Sequence, residues 1–464
     1  MTRNRWTFGL GTIGRDMVFS LISMFLIVYM TEVIRVPVSL LAWITGYIVA
    51  VRIFDALNDP IMGLIVDNTK TRYGKFKPWI AFGALTTGIL MILMFSAVDA
   101  SETSISFLFG MEMSWNTFAV VFCILYFFWS IAYTTNDISY WSMLPALSVD
   151  QHEREKIGSI ARICANIGLF FVVAGIVPIT SALGGRLGSP VAGYMAFTLL
   201  IVGIMWVGQL ITLFGVKEPH ITKTQQSTKL RELVSIIVKN DQLLLTAICM
   251  TLFMIGYMTT TGFGLYFFIY VYGNEDMFSI FAIILGVSQI AALAVFPQFS
   301  KKFSRKKLYA FAVGLVTVGY IVFFFAPTDT MLFIGIAGML LFIGQAFIQL
   351  MMLMFLTDSV DYGHLKLGKR NDSINFSLQP LINKLSGAIG SGVVGFVVIL
   401  SGIAEAETAA DVSYEGLLLM RAAMLIFPLI CIVISFLIYR GKFIIDEKKH
   451  AEILAELKKR GEIS

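Results

Sequence analysis

Apolar residues gather into twelve stretches separated by short polar intervals, at roughly 10–34, 38–66, 78–98, 117–143, 158–182, 192–215, 244–272, 278–299, 308–326, 331–356, 375–401 and 417–440. Each is close to or beyond the ~20 residues a helix needs to cross hydrocarbon. The interval at 216–243 is longer and polar, and it divides the stretches six and six. The pattern predicts an all-α membrane protein of twelve transmembrane helices in two six-helix bundles. The first covers 1–215, a central loop 216–243, the second bundle 244–440 and a tail 441–464. Within the tail, KKHAEILAELKKR (448–460) has helical periodicity and mixed charge, which reads as a solvated helix.

Composition agrees with this pattern. The chain is 57% apolar and 14% charged, against ~25% charged in soluble domains. Its four cysteines all fall in apolar stretches without a shared motif, which reads as packing. The first apolar stretch is long and carries Asp16, so it reads as a span and not as a cleavable leader.

Of the 35 Lys and Arg residues, 28 lie in the termini and loops on one side of the predicted bundle. Only Arg35 and Arg186 lie in loops on the other. The positive-inside rule then makes both termini cytoplasmic. The net charge of +5 is therefore explained by topology and is no signal for nucleic acid. There is no GxxxxGK[ST], HExxH or CxxC motif, so ATP-driven transport and zinc chemistry lack support. All four histidines fall in loops, which argues against a histidine proton relay in the membrane.

The two halves echo each other. DNTKTRYGKFKP (67–78) follows the second stretch and SKKFSRKKL (300–308) the eighth. SVDQHEREK (148–156) follows the fourth and DSVDYGHLKLGKR (358–370) the tenth. Such a repeat resembles the major facilitator superfamily, whose folds hold substrate near the midplane and alternate access around it.

Charges inside the spans carry the chemistry, because each costs at least ~2.5–3.5 kcal/mol at the bilayer centre. Arg52, Asp55 and Asp59 share a helical face at i, i+3, i+7. Two acids on one face repel unless something cationic sits with them. Asn58 and Thr134 add the neutral oxygens that a hard cation prefers. A proton would relieve the repulsion as well as Na+ would, so these residues leave the ion open, and simple pairing of the acids with Arg52 and Arg162 is the plainer reading. Asp137 shares a face with Thr134 and Trp141. With Asp16, Arg162 and Lys384 it offers acceptors and donors for hydroxyls, and Trp129 and Trp141 offer aromatic faces, although a membrane Trp also serves as an interfacial anchor.

The runs RIFDALNDPIMGLIVDNTKTRYGKFKPW (52–79), GLGTIGRD (9–16), YTTNDISYWSMLP (133–145), KNDQL (239–243) and DSVDYGHLKLGKRNDSINFSLQ (358–379) occur in this order along nearly the whole chain. Together they resemble the glycoside–pentoside–hexuronide:cation symporters of the melibiose permease type. The resemblance implies that Asp55 and Asp59 are cation-site acids holding Na+, with Asn58 and Thr134 as accessory ligands. It implies that Asp16 and Asp137 are the sugar-binding carboxylates. Arg162, Trp129, Trp141, Tyr133, Gln379 and Lys384 are implied to line or support the sugar site. Arg15 stands where the melibiose type has lysine, which keeps the charge but not the geometry.

The implied activity is symport of a sugar or glycoside with Na+, H+ or Li+ in a bacterial cell membrane, by a single chain needing no cofactor beyond the ion. No phosphotransferase-like domain is expected after the twelfth helix. Arg72 and Lys75, with Asp150, Asp358 and Asp361, are expected to form an inner gate, their plainer reading being topological anchors. Two other functions were weighed. A cation-coupled carrier of an amphiphile such as a lysolipid would use the same fold. An intramembrane aspartyl enzyme needs acids on facing helices, whereas Asp55 and Asp59 share one helix.

Overall fold

The computed structural model describes residues 2–69, 71–101, 103–144, 147, 151–216, 239–328, 330–367, 373–406 and 408–460. Among the described residues, twelve helices are long and apolar enough to cross a membrane. They are α1 (Arg3–Val33), α2 (Val38–Asn68), α3 (Lys77–Met94), α4 (Trp115–Met143), α5 (Gln151–Leu187) and α6 (Pro190–Gly215), then α7 (Asp241–Tyr272), α8 (Asp276–Lys302), α9 (Arg305–Phe325), α10 (Met331–Leu367), α11 (Ser373–Leu400) and α12 (Tyr414–Lys442). A thirteenth, α13 (Glu447–Lys459), lies in the tail.

Local chemistry sets several boundaries. Ser114 accepts from the Thr117 amide to start α4, and Asn240 accepts from Leu243 to start α7. Two helices run past their apolar cores: α5 begins at Gln151 and α10 continues to Leu367. Their polar ends contain no proline, so nothing local stops the hydrogen-bond ladder there. Wider π turns interrupt α1 at Leu21–Phe25 and Tyr29–Val33, α7 at Phe267–Tyr272 and α12 at Ala422–Ile426. Between α3 and α4 the pattern suggested only a loop. The chain instead folds a three-stranded antiparallel sheet of β1 (Asp99–Ala100), β2 (Ser104–Phe107) and β3 (Met111–Ser114). Ile105 and Phe107 alternate inward along β2, and Phe107 meets Phe118 edge-on at 4.9 Å.

The chain divides into two compact units, Met1–Ser227 with Val398–Glu407 and Thr228–Val397 with Thr408–Ser464. In the first, α1 packs on α5 and α6, α4 packs on α2 and α3, and α3 packs on α6. Glycine makes the α1 contacts possible: a Cβ at Gly14 would stand 2.2 Å from the Met205 backbone, and one at Gly168 would stand 2.2 Å from the Ile13 carbonyl. A buried polar network spans this unit. Asn136 donates to the Ile80 carbonyl at 3.0 Å and to Gln209 at 3.1 Å, and Gln209 donates to the Gly11 carbonyl at 2.7 Å.

In the second unit α10 packs on α8 and α9, α12 packs on α7 and α9, and α10 also contacts α7 and α13. The tail helix is not simply solvated, as its charge pattern suggested. Its apolar stripe is docked, with Ile453 1% and Leu457 0% exposed, because apolar residues four apart form one face. Elsewhere, exposed Phe82, Phe128, Ile163 and Phe311 coat the bundles, as suits helices that meet lipid.

Candidate substrate and cation site

Helices α2 and α4 meet along three polar rungs. Arg52 Nε donates to the Tyr126 hydroxyl at 3.3 Å. Ser130 Oγ donates to Asp55 Oδ2. Thr135 Oγ1 donates to Met62 Sδ at 3.6 Å. The partners are separated by 74, 75 and 73 residues along the chain. So constant an offset means that the helices run side by side in the same direction. The same offset sets Asp59 level with the turn Ala132–Thr134. Asp55, Asn58 and Asp59 are half-buried, and Thr134 is 1% exposed.

Ser130 is the residue that sequence reasoning missed. It lies four residues before Thr134 and seven before Asp137, so all three share a face of α4. Extending the Thr134–Asp137–Trp141 stripe back by one turn would have found it.

Further along α4, the Arg15 guanidinium joins two carboxylates. Nη1 lies 3.1 Å from Asp137 Oδ1 and Nη2 lies 3.4 Å from Asp16 Oδ2. The same group stacks 4.8 Å from the Tyr140 ring and 5.1 Å from the Trp141 ring. Tyr140 is fixed in turn, donating to the Phe8 carbonyl and meeting Thr212 Oγ1 at 3.3 Å. The Arg15 side chain is 2% exposed, whereas Asp16 and Asp137 keep 26% and 18%. The acids therefore offer free oxygen surface while the arginine stands behind them. One cation between two anions leaves this wall negative. Arg162 is exposed, with its Cζ 6.0 Å from the Trp141 ring.

Trp129 and Tyr133 pack behind this wall. Trp129 is 4% exposed, stacked 5.9 Å from Tyr126 and 5.4 Å from Tyr133, which lies 5.4 Å from Phe19. Trp141 keeps partial exposure. Gln379 and Lys384 are half-buried on α11 of the second unit.

The gate candidates divide. Arg72 is exposed and lies against the Tyr73 ring, and Lys75 lies 5.2 Å from the Phe76 ring. Asp150 lies outside the described residues. Asp358 and Asp361 are buried and engaged within their own unit. Arg305 of α9 pairs with Asp358, and His450 of α13 lies 3.4 Å from Asp358 and 3.0 Å from Asp361. The backbone amide of Arg305 also donates to Glu447, and Lys306 lies 3.5 Å from Asp446. Asp446 caps α13, where the Lys449 amide and then the Lys306 ammonium hold its carboxyl below the usual range.

The fold is that of a twelve-helix transporter. It aligns with a bacterial homologue of the human lysosomal transporter Spinster, in an inward-facing and unoccupied conformation, at TM-score 0.64, 11% identity and 95% and 96% coverage of the two chains. It aligns with the nucleoside transporter NupG at TM-score 0.62 and 14% identity, over 94% of this chain and 98% of that one. At such identities the likeness concerns fold alone. The chain belongs to the MFS/sugar transport protein family, whose model it matches over residues 7–447. It is similar to the lactose permease of Lactobacillus helveticus, 32% identical over 97% of this chain and 71% of that one. It is also similar to the raffinose carrier protein of Pediococcus pentosaceus (33%, over 98% and 71%) and the isoprimeverose transporter of Lactiplantibacillus pentosus (24%, over 88% and 84%). It is thus a multi-pass membrane transporter and not an enzyme.

Proposed function

We propose that the protein carries a sugar or glycoside into the cell in symport with a monovalent cation, Na+ or else H+ or Li+, by alternating access. One observation supports this reading above the rest: two partly exposed carboxylates, Asp16 and Asp137, are held by one buried guanidinium beside Trp141. Carboxylates accept from the paired hydroxyls of a sugar, and an aromatic face covers its apolar side. Relatives named for lactose, raffinose and isoprimeverose favour a glycoside over a lipid. Arg15 is assigned to positioning the acids, and Arg162, Gln379 and Lys384 to contacts with the sugar.

Coupling follows from α4, which carries parts of both sites. A cation among Asp55, Asn58, Asp59 and Thr134 would bind α2 to α4 and stiffen the segment that presents Asp137 and Trp141. Sugar must then raise cation affinity by the factor by which the cation raises sugar affinity. One charge moving through ~100 mV releases ~2.3 kcal/mol, enough for about fifty-fold accumulation. Closure on the cytoplasmic side is assigned to Arg72, Lys75, Asp150, Asp358 and Asp361.

The test is isotope uptake of a glycoside panel into proteoliposomes at fixed pH, with and without Na+ or Li+. The parent is expected to show cation-stimulated uptake of at least one glycoside, and Asp59→Cys to lose the stimulation while keeping some sugar binding. Equal stimulation in parent and mutant would remove Asp59 from the coupling site. Uptake of no sugar, with transport of an amphiphile, would replace the substrate class.

A further inference from the structure

We infer that Ser130 is a working member of the cation site, tuning which monovalent ion it accepts. This inference rests on the cation-coupled reading above. The Ser130 hydroxyl donates to Asp55 Oδ2, one of the three polar rungs between α2 and α4. A hydroxyl has one proton to donate and two lone pairs. With the proton committed to Asp55, the lone pairs are aimed away from it and are available to an ion. Ser130 is 2% exposed and lies one helical turn from Thr134, itself 1% exposed, so both hydroxyls face the same strip of α2. That strip holds Asp55 and, by the common offset of the rungs, Asp59 one turn further on.

Two consequences follow from this placement. Ser130 fixes the rotamer of Asp55, so the carboxylate is aimed before an ion arrives. Preorganisation of this kind reduces the ordering cost of binding. Ser130 also adds a short neutral oxygen to a site otherwise made of acids, an amide and Thr134. The number and stiffness of oxygen ligands set the preferred ion size, so removing one should change the relative affinities for Li+ and Na+ as well as the absolute ones. A residue that merely packed α2 against α4 would lower all ions alike.

The experiment measures half-saturating Na+ and Li+ for sugar uptake, and Na+-induced thermal shifts of purified protein, in Ser130→Ala, Ser130→Thr and Ser130→Gly. Ser130→Ala is expected to raise half-saturating Na+ about ten-fold or more, because the lost bond is to a charged group. It should also shift the Li+ to Na+ ratio. Ser130→Thr should restore both, since it returns the hydroxyl. If Ser130→Ala proves too unstable to assay, Ser130→Gly carries the same prediction. Unchanged ion affinities in the hydroxyl-free variants, or parallel losses for Na+ and Li+ that threonine does not rescue, would overturn the inference while leaving cation coupling intact. A parent that shows no ion stimulation would instead overturn the cation-coupled reading, and this inference with it.

Discussion

The two bundles are wired alike and charged differently. In each, the fourth helix packs on the second and third, and the sixth on the first and third. Each also has a buried polar network. In the second unit, Thr260 meets the Tyr320 hydroxyl at 2.7 Å and donates to the Met424 carbonyl at 3.1 Å, while Gln345 donates to Tyr320 at 3.3 Å. This mirrors Asn136, Gln209 and Gly11 in the first unit. Both networks are neutral and rest on glycine contacts, apolar packing and internal hydrogen bonds. Only the first unit adds Arg15, Asp16 and Asp137 to that frame, with Asp55 and Asp59 on the α2 face toward α4. The second keeps its printed ion pairs near helix ends, at Asp358 with Arg305 and at Asp241 with Lys366. Architecture and chemistry are therefore separable: the frame is shared, and the cost of buried charge is concentrated in one copy of it.

The contrast can be broken most severely at Asp137. Asp137→Ala leaves the Arg15 guanidinium buried without its nearer carboxylate, and losing one partner of a buried pair costs about 3–5 kcal/mol. Sugar affinity should fall by two orders of magnitude or more in calorimetry, and near-parental affinity would mean that the wall is only structural. A middle-sized effect is expected in the neutral network. Thr260→Val deprives Tyr320 and the Met424 carbonyl of a partner and should lower stability by about 1–3 kcal/mol, read by thermal unfolding in detergent. Sugar affinity should change by less than about two-fold, since Thr260 lies in the neutral frame; a larger change would show that the second unit's network is functional after all.

The smallest effect belongs to the tail. Asp446→Asn should loosen α13, detected as faster amide exchange at Ile453 and Leu457. The sign of its pH dependence is fixed. The carboxyl lies below its ordinary value in the folded state, by the Lys449 amide and then Lys306. Its contribution is therefore complete above the ordinary carboxylate range and lost as pH falls through the lowered folded value. Parent tails should loosen in that acidic window and Asp446→Asn tails should not respond there.

The helices and the charged residues were readable because both are expensive to misplace in lipid. A twenty-residue apolar stretch has few alternatives to spanning, and an acid such as Asp55 within one has few alternatives to facing other protein. What escaped the sequence depended on longer reach or on cheap residues. Arg15 follows Gly14 directly and precedes Asp16, so adjacent positions appear to point about 100° apart, yet a long side chain lets Arg15 serve Asp16 and Asp137 together. Ser130 costs little wherever it lies in a helix, so its presence announced nothing until Asp55 was seen against it. The sheet at 99–114 was hidden because strands of two to four residues leave almost no periodicity. The tail concealed its docking for another reason. Two apolar residues among many charges look like solubility until a partner surface on α10 is known.

The π turn at Leu21–Phe25 lies just beyond Asp16 and Ser20. Such a turn accommodates a spare residue that an α-helix would not. Excising one residue there would let α1 tighten and swing its outer part about its axis by ~100°. Tyr29, now tucked 4.6 Å from Phe95 and 5.5 Å from Tyr194, would then point elsewhere. The phase between the acid-bearing and outer parts of this helix is thus encoded by counting, and a single in-frame codon deletion could disturb it while leaving every named side chain in the gene.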